Sequence, residues 1–155
     1  MGKNFYALGL MSGTSMDGID ASIISSNGID DFEIMQNKYY KYDDKFINKL
    51  SNLKNKIDKL DDFKSHFNDL KSIEREITIL HAKFTNDILI KFKHKIDLVG
   101  FHGQTIYHNP DEKISKQLGD GKLLSQLIKK KVVYNFREND IKSNGNGAPL
   151  APIYH

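Results

Sequence analysis

Leu8-Gly9-Leu10-Met11-Ser12-Gly13-Thr14-Ser15-Met16-Asp17-Gly18-Ile19-Asp20 is the stretch from which the rest of the chain can be read. Its apolar flanks, residues 5–10 and 19–24, predict two strands of a hairpin, and the polar segment between them is longer and richer than a turn requires. Gly13 and Gly18 permit a tight backbone and close approach to a ligand. Ser12, Thr14 and Ser15 supply O–H and N–H donors, and Asp17 or Asp20 could hold a divalent cation through water. This donor set fits phosphate. It is not a Walker loop, because it holds no lysine and no helix clearly starts there.

Working outward, strands are expected over residues 5–10, 19–26 and 32–42, an antiparallel meander in which Asn27-Gly28 makes the second turn as a two-residue hairpin. Residues 43–70 turn to lysine, aspartate and asparagine with sparse apolar positions, which predicts short exposed helices or a variable insert. Over 70–92 the spacing of Ile73, Ile77, Leu80, Phe84 and Ile88 is that of an amphipathic helix. A buried strand over 96–101, a short helix over 123–128 and a strand over 132–136 follow. Three strands, then helix, strand, helix, strand is the order of a ribonuclease-H-like α/β lobe, the unit of the actin-like and sugar-kinase ATPases. In that layout the first hairpin carries a phosphate loop.

Composition bounds the remaining function classes. At 155 residues the chain is sized for one domain. Its net charge of +3, from 23 basic and 20 acidic residues, is spread along the chain and gives no sign of a nucleic-acid partner. No cysteine is present, so disulfides, thiolate metal sites and a cysteine nucleophile are excluded. No stretch approaches the roughly 18 apolar residues of a membrane span, and the N-terminus has no secretory pattern. A soluble cytoplasmic protein is expected.

Gly100-Phe101-His102-Gly103-Gln104-Thr105-Ile106-Tyr107-His108 is expected to be a loop just past a strand end, where open α/β sheets place ligands. His102 and Gln104 there have hydrogen-bonding ends suited to sugar hydroxyls, or else cap backbone groups within the loop. A metal on His102 and His108 lacks a third ligand at a familiar spacing. Asp120, between Gly119 and Gly121, reads as a helix N-cap. Arg137, directly after a strand, could grip a phosphate or carboxylate, or pair with Asp140. Residues 144–155 read as a close-approach loop or hinge.

Taken together, residues 9–20, Gly100-Phe101-His102-Gly103-Gln104-Thr105, Gly119-Asp120-Gly121, Phe136-Arg137 with Asp140, and Gly147-Ala148-Pro149-Leu150 with Pro152 and His155 resemble the anhydro-N-acetylmuramic acid kinases. The resemblance implies a two-lobed ATPase of cell-wall recycling. Such an enzyme uses ATP and Mg2+ to phosphorylate O6 of 1,6-anhydro-N-acetylmuramic acid while water opens the anhydro ring, giving N-acetylmuramic acid 6-phosphate. It implies that Gly13, Thr14, Ser15, Met16, Asp17, Gly18, Ile19 and Asp20 hold ATP phosphates, with Asp17 touching the metal through water, and that His102, Gln104, Arg137 and Asp140 face the sugar. The sequence departs from the family pattern at Asn135, where aspartate is common, and at Asn144-Gly145-Asn146-Gly147, where a double glycine and glutamine are common. The family's general base is expected beyond His155, so residues 1–155 read as the N-terminal lobe, with little activity alone and a homodimer or a separately encoded C-terminal lobe as partner. A non-catalytic relic that binds phosphate, and a ribonuclease-H-like nuclease, are the alternatives.

Overall fold

In a computed structural model, residues 4–148 and Leu150 are described. The chain forms β1 (Phe5–Ser12), β2 (Gly18–Ser26), β3 (Phe32–Lys41), α1 (Asp44–Lys54), α2 (Leu60–Ser65), α3 (Phe67–Lys91), β4 (Leu98–Asn109), β5 (Ile114–Leu118), α4 (Gly121–Ile128), β6 (Val132–Tyr134) and α5 (Glu138–Lys142). The first three strands are the expected antiparallel meander, ordered β3-β2-β1. β4 then lies parallel to the free edge of β1. Its opposite edge is shared, with β6 pairing in parallel at Val99, Gly100 and Phe101 and β5 pairing antiparallel from Gln104 onward. Parallel pairs need crossovers, which the helices between β3 and β4 and α4 before β6 supply. The result is a mixed α/β fold on a six-stranded sheet.

One sheet face is covered. Leu8, Leu10, Ile19, Ala21, Ile23, Val99 and Phe101 alternate into a single core with Ile73, Ile77 and Ile88 of α3 and Leu124 and Ile128 of α4. Rings fix the contact between helix and sheet: Phe84 stacks on Tyr40 at 4.4 Å and His81 meets Phe101 edge-on at 4.9 Å. The other face is open, and Phe5, Met11, Phe32, Ile34 and Tyr39 remain exposed.

Four expectations need correction. The segment 100–108 is not a loop but the middle of β4, because Phe101, Thr105, Ile106 and Tyr107 are good strand residues and Gly103 permits a close approach of Leu118 O on β5. β5 was not anticipated at all; its polar Ser115, Lys116 and Gln117 hide its pairing. Residues 43–70 are only partly an exposed insert: α2 buries nothing, but α1 buries Phe46, Leu50 and Leu53, and Ile57 joins the core behind it. Asn27-Gly28 is not a two-residue turn. Five residues separate β2 from β3, and the Asn27 side-chain oxygen accepts from the N–H groups of Ile29, Asp30 and Asp31. By contrast Asp120 caps α4 as expected, accepting from Lys122 and Leu123 N–H.

His81 is a buried titratable group of this core, fully enclosed on α3, and burial pushes its pKa down to about 4. The unfolded chain, with an ordinary value near 6.5, binds the proton first, so folding stability is present above that value and is lost as pH falls toward about 4. The loss amounts to about 3 kcal/mol in full. Chemical denaturation between pH 7 and 4 is expected to show this slope in the wild type, and a His81→Leu variant should show a visibly shallower one.

Candidate functional site

The polar segment is shorter than the sequence suggested: β1 runs through Ser12 and β2 begins at Gly18, leaving residues 13–17 as the loop. Thr14, Ser15 and Asp17 are exposed. Met16 takes a left-handed conformation, φ 58°, and its N–H donates to Gly13 O at 3.2 Å, which tightens the turn. Ser15 Oγ donates to Asp17 Oδ1 at 2.5 Å. That bond is the main reason the Asp17 carboxyl sits below the usual carboxylate range, with Tyr39 and Lys41 adding to it. Asp17 is therefore an ionised, solvent-facing carboxylate at the end of a donor-bearing loop.

Gly18 and Ile19 belong to β2 rather than to the loop. A side chain at Gly18 would collide with Tyr40 O at 2.4 Å and with the Tyr39 ring, so the glycine lets β3 close over this corner. The Ile19 side chain is wholly in the core and has only its backbone to offer. Asp20 faces the open side of the sheet. There it lines a concavity of about 720 Å3 with Gly9, Ser22, Asn37, Tyr39, Gly100 and Phe136.

β4 brings the second group of residues to the loop. Leu10 pairs with Phe101 but Ser12 pairs with Gln104, so β4 carries one extra residue between these points. Gly103 absorbs it with φ +72°, and any side chain there would lie 2.4 Å from Leu118 O. Beyond the bulge Gln104 turns inward, fully buried, and its Nε2 donates to Gly13 O at 2.9 Å and to Thr105 O at 3.3 Å. Two carbonyl acceptors fix the amide orientation and leave the buried Oε1 without a hydrogen-bond partner among the described residues.

His102 shows the same pattern. Its Nδ1–H donates to Gly103 O at 3.0 Å, so Nε2 carries the lone pair, and that atom too is buried without a partner among the described residues. Burial first, and the nearby Arg137 charge second, depress its pKa, so the ring is neutral at pH 7. Two orphaned acceptors on one short piece of strand are matched chemically by hydroxyl donors.

The remaining candidates lie on the far side of β4. Arg137 reaches Ser115 Oγ at 3.5 Å, and burial lowers its pKa. Among the described residues it makes no ion pair with Asp140. Instead Asp140 Oδ2 accepts the Gly147 N–H at 2.7 Å and Asp140 O accepts that of Gly145, which folds the segment after α5. Asn135, where the family pattern has aspartate, sits at φ 61°, a conformation asparagine tolerates. Pro149 and residues 151–155 lie outside the described residues. Among the described residues no three of His, Cys, Asp and Glu gather as a metal site. Sequence reasoning missed Tyr42 and His81, which meet at Ser12 under the loop. The only signal was a tyrosine at a strand end and a histidine inside an apolar helical stripe.

A family model described as anhydro-N-acetylmuramic acid kinase matches residues 5–155. The chain belongs to the anhydro-N-acetylmuramic acid kinase family. Among curated relatives of that name, the protein of Pelagibacter ubique is 54% identical over all of this chain and 41% of its own length. That of Rhizobium etli is 40% identical over 96% of this chain and 41% of its own, and that of Agrobacterium fabrum is 37% identical over 100% and 42%. The chain thus spans about 41% of the length of the anhydro-N-acetylmuramic acid kinases it matches. Among the described residues no helix is long and apolar enough to cross a membrane.

The bulge is open to direct test. Gly103→Ala combines a strained left-handed backbone with a clash against Leu118 O. It is expected to destabilise the fold by about 2 kcal/mol, read as a lowered midpoint in urea, whereas alanine at the exposed, unobstructed Thr14 should leave the midpoint unchanged.

Proposed function

We propose that this chain is the N-terminal, phosphate-binding part of an ATP-dependent kinase acting on 1,6-anhydro-N-acetylmuramic acid. The product is N-acetylmuramic acid 6-phosphate, formed with hydrolytic opening of the anhydro ring during cell-wall recycling in the cytoplasm. The observation that carries the reading is the juxtaposition, through the bond from Gln104 to Gly13, of an exposed donor loop with two unpaired buried acceptors on β4. An antiparallel β3-β2-β1 meander with β4 parallel to β1 also supports assignment to the ribonuclease-H-like lobe of the actin-like ATPases.

The residues present fit a Mg2+-bound nucleotide. The loop 13–17 is exposed and rich in N–H and O–H groups, and Asp17 is ionised beside it; Mg2+ commonly takes one or two carboxylates together with substrate phosphates. Backbone N–H groups of the loop and of Gly18, Ile19 and Asp20, with the Thr14 and Ser15 hydroxyls, would hold phosphate oxygens. Asp17 would meet the metal through water. When bound, the nucleotide supplies the phosphoryl group and the metal neutralises its charge. The chain's own contribution is position and field, on which phosphoryl transfer mainly depends.

On the sugar side, neutral His102 accepts a hydroxyl proton through Nε2 and Gln104 accepts another through Oε1, which orients the acceptor. Arg137 adds positive charge near the transferring group, and Asp140 keeps the Ser143 to Gly147 turn in shape beside it. We place the general base outside residues 1–155, in a C-terminal lobe.

The test supplies that lobe from the Pelagibacter ubique relative and measures ATP-dependent phosphorylation of the anhydro sugar. Product is expected, Asp17→Asn should lower turnover about tenfold or more without moving the melting temperature, and His102→Ala should raise KM for the sugar rather than for ATP. Binding of both substrates with no phosphorylated product would sink the kinase reading and leave a phosphate-binding relic.

A further inference from the structure

Beneath the loop lies a set of buried polar groups that the proposed chemistry does not use. Tyr42, the residue after β3, is almost fully buried, and its ring is held edge-on against Phe46 at 4.9 Å. It touches the phosphate loop at both ends. Its backbone N–H donates to Asp17 O at 2.8 Å, and its hydroxyl lies 2.8 Å from Ser12 Oγ. Ser12 Oγ is in turn 3.3 Å from His81 Nε2, and His81 Nδ1 is 2.8 Å from Ile77 O.

The direction of this chain of bonds follows from its last member. Ile77 O can only accept, so Nδ1 carries the proton. The ring is neutral in its buried position, which leaves Nε2 as a lone pair. Ser12 must therefore donate to His81, and its oxygen accepts from Tyr42. Each hydroxyl has a single orientation that satisfies its neighbours, from Tyr42 to Ser12 to His81 to Ile77.

We propose that Tyr42, Ser12 and His81 form a positioning clamp that holds the two ends of the 13–17 loop at a fixed separation, so that its phosphate donors are arrayed before a ligand arrives. The proposal rests on the phosphate-loop reading above. Among the described residues the hydrogen bonds of the loop to the body of the protein, including Gln104 to Gly13 O, fall at its ends, on Ser12, Gly13 and Asp17, while Met16 packs its side chain against the core. Thr14 at the crest makes no hydrogen bond among the described residues and stays available. None of the three clamp side chains is exposed, so none is placed to touch substrate. They act through the loop.

Tyr42→Phe keeps the ring and removes only the hydroxyl. In the full chain, amide exchange by NMR is expected to quicken roughly tenfold at Met16 and Tyr42, whose N–H groups bond Gly13 O and Asp17 O at the two ends of the loop, the factor for one lost hydrogen bond, with Leu8 and Ile23 of the core unchanged. Mg-ATP affinity, followed by the same loop amides, should weaken by a similar factor, since fewer molecules hold the competent loop. Ser12→Ala should do the same, and the double variant little more, because the two hydroxyls work as one unit. Loop exchange equal to wild type in both variants, or core amides opening as much as the loop, overturns the clamp. If Mg-ATP does not shift the wild-type loop amides, the phosphate-loop reading fails, while the exchange ratio still decides the clamp.

Discussion

The parallel pairing of β1 with β4 is the constraint on which the site depends. Neither strand alone carries a complete set of groups: β1 delivers a donor loop at its C-terminal end, and β4 delivers His102 and Gln104. Parallel strands point their C-terminal ends the same way, so the pairing places both groups at one end of the sheet. The register then does the fine placement. With Ser12 opposite Gln104, the glutamine amide reaches the first carbonyl of the loop, and the same serine sits above His81 of α3. Sheet, helix and loop are joined through one residue pair.

The loop is held in a way that suits this role. Its anchors are polar and buried, an arrangement that costs desolvation at every atom unless each is paired. Ser12, Tyr42 and His81 meet that requirement in full, whereas the free acceptors of Gln104 and His102 do not. In the proposed reading, the contrast separates the groups that shape the site from the groups that address a ligand. It also explains why the core tolerates a histidine in a helical stripe of isoleucines: the ring is neutral, packed on Phe101, and bonded at both nitrogens.

How much of this the sequence displays depends on the range of the interaction. The meander, α3 and the cap at Asp120 are local features, written in alternation, in three-and-four spacing and in a carboxylate before a helix, and they are read correctly. The loop itself is legible from its composition. What is not legible arises between distant residues. Gly100 and Gly103 look like loop glycines because nothing near them in sequence reveals the bulge or the Leu118 carbonyl that demands Gly103. α1 looks exposed because its polar residues outnumber Phe46, Leu50 and Leu53, and only the tertiary core shows that those three suffice. Tyr42 is separated from Ser12 by two strands, and His81 by two further helices and about four turns of α3. Their meeting is a property of topology.

The extra residue in β4 makes the far half of that strand depend on chain length as well as on side-chain identity. Buried positions are odd-numbered up to Gly103 and even-numbered from Gln104 to Ile106, so the strand changes phase at the bulge. Inserting one further residue just before Gly103, with the bulge otherwise kept, would put Gly103 where Gln104 now stands and turn Gln104 and the side chains after it to the opposite face, whereas deleting Gly103 would restore simple alternation and leave Gln104 opposite Ser12. All the residues named for the site on this strand would still be in the sequence, in order and nearly at their usual spacing. For this fold, an insertion of one amino acid at the bulge is a more complete change to the site than most substitutions within it.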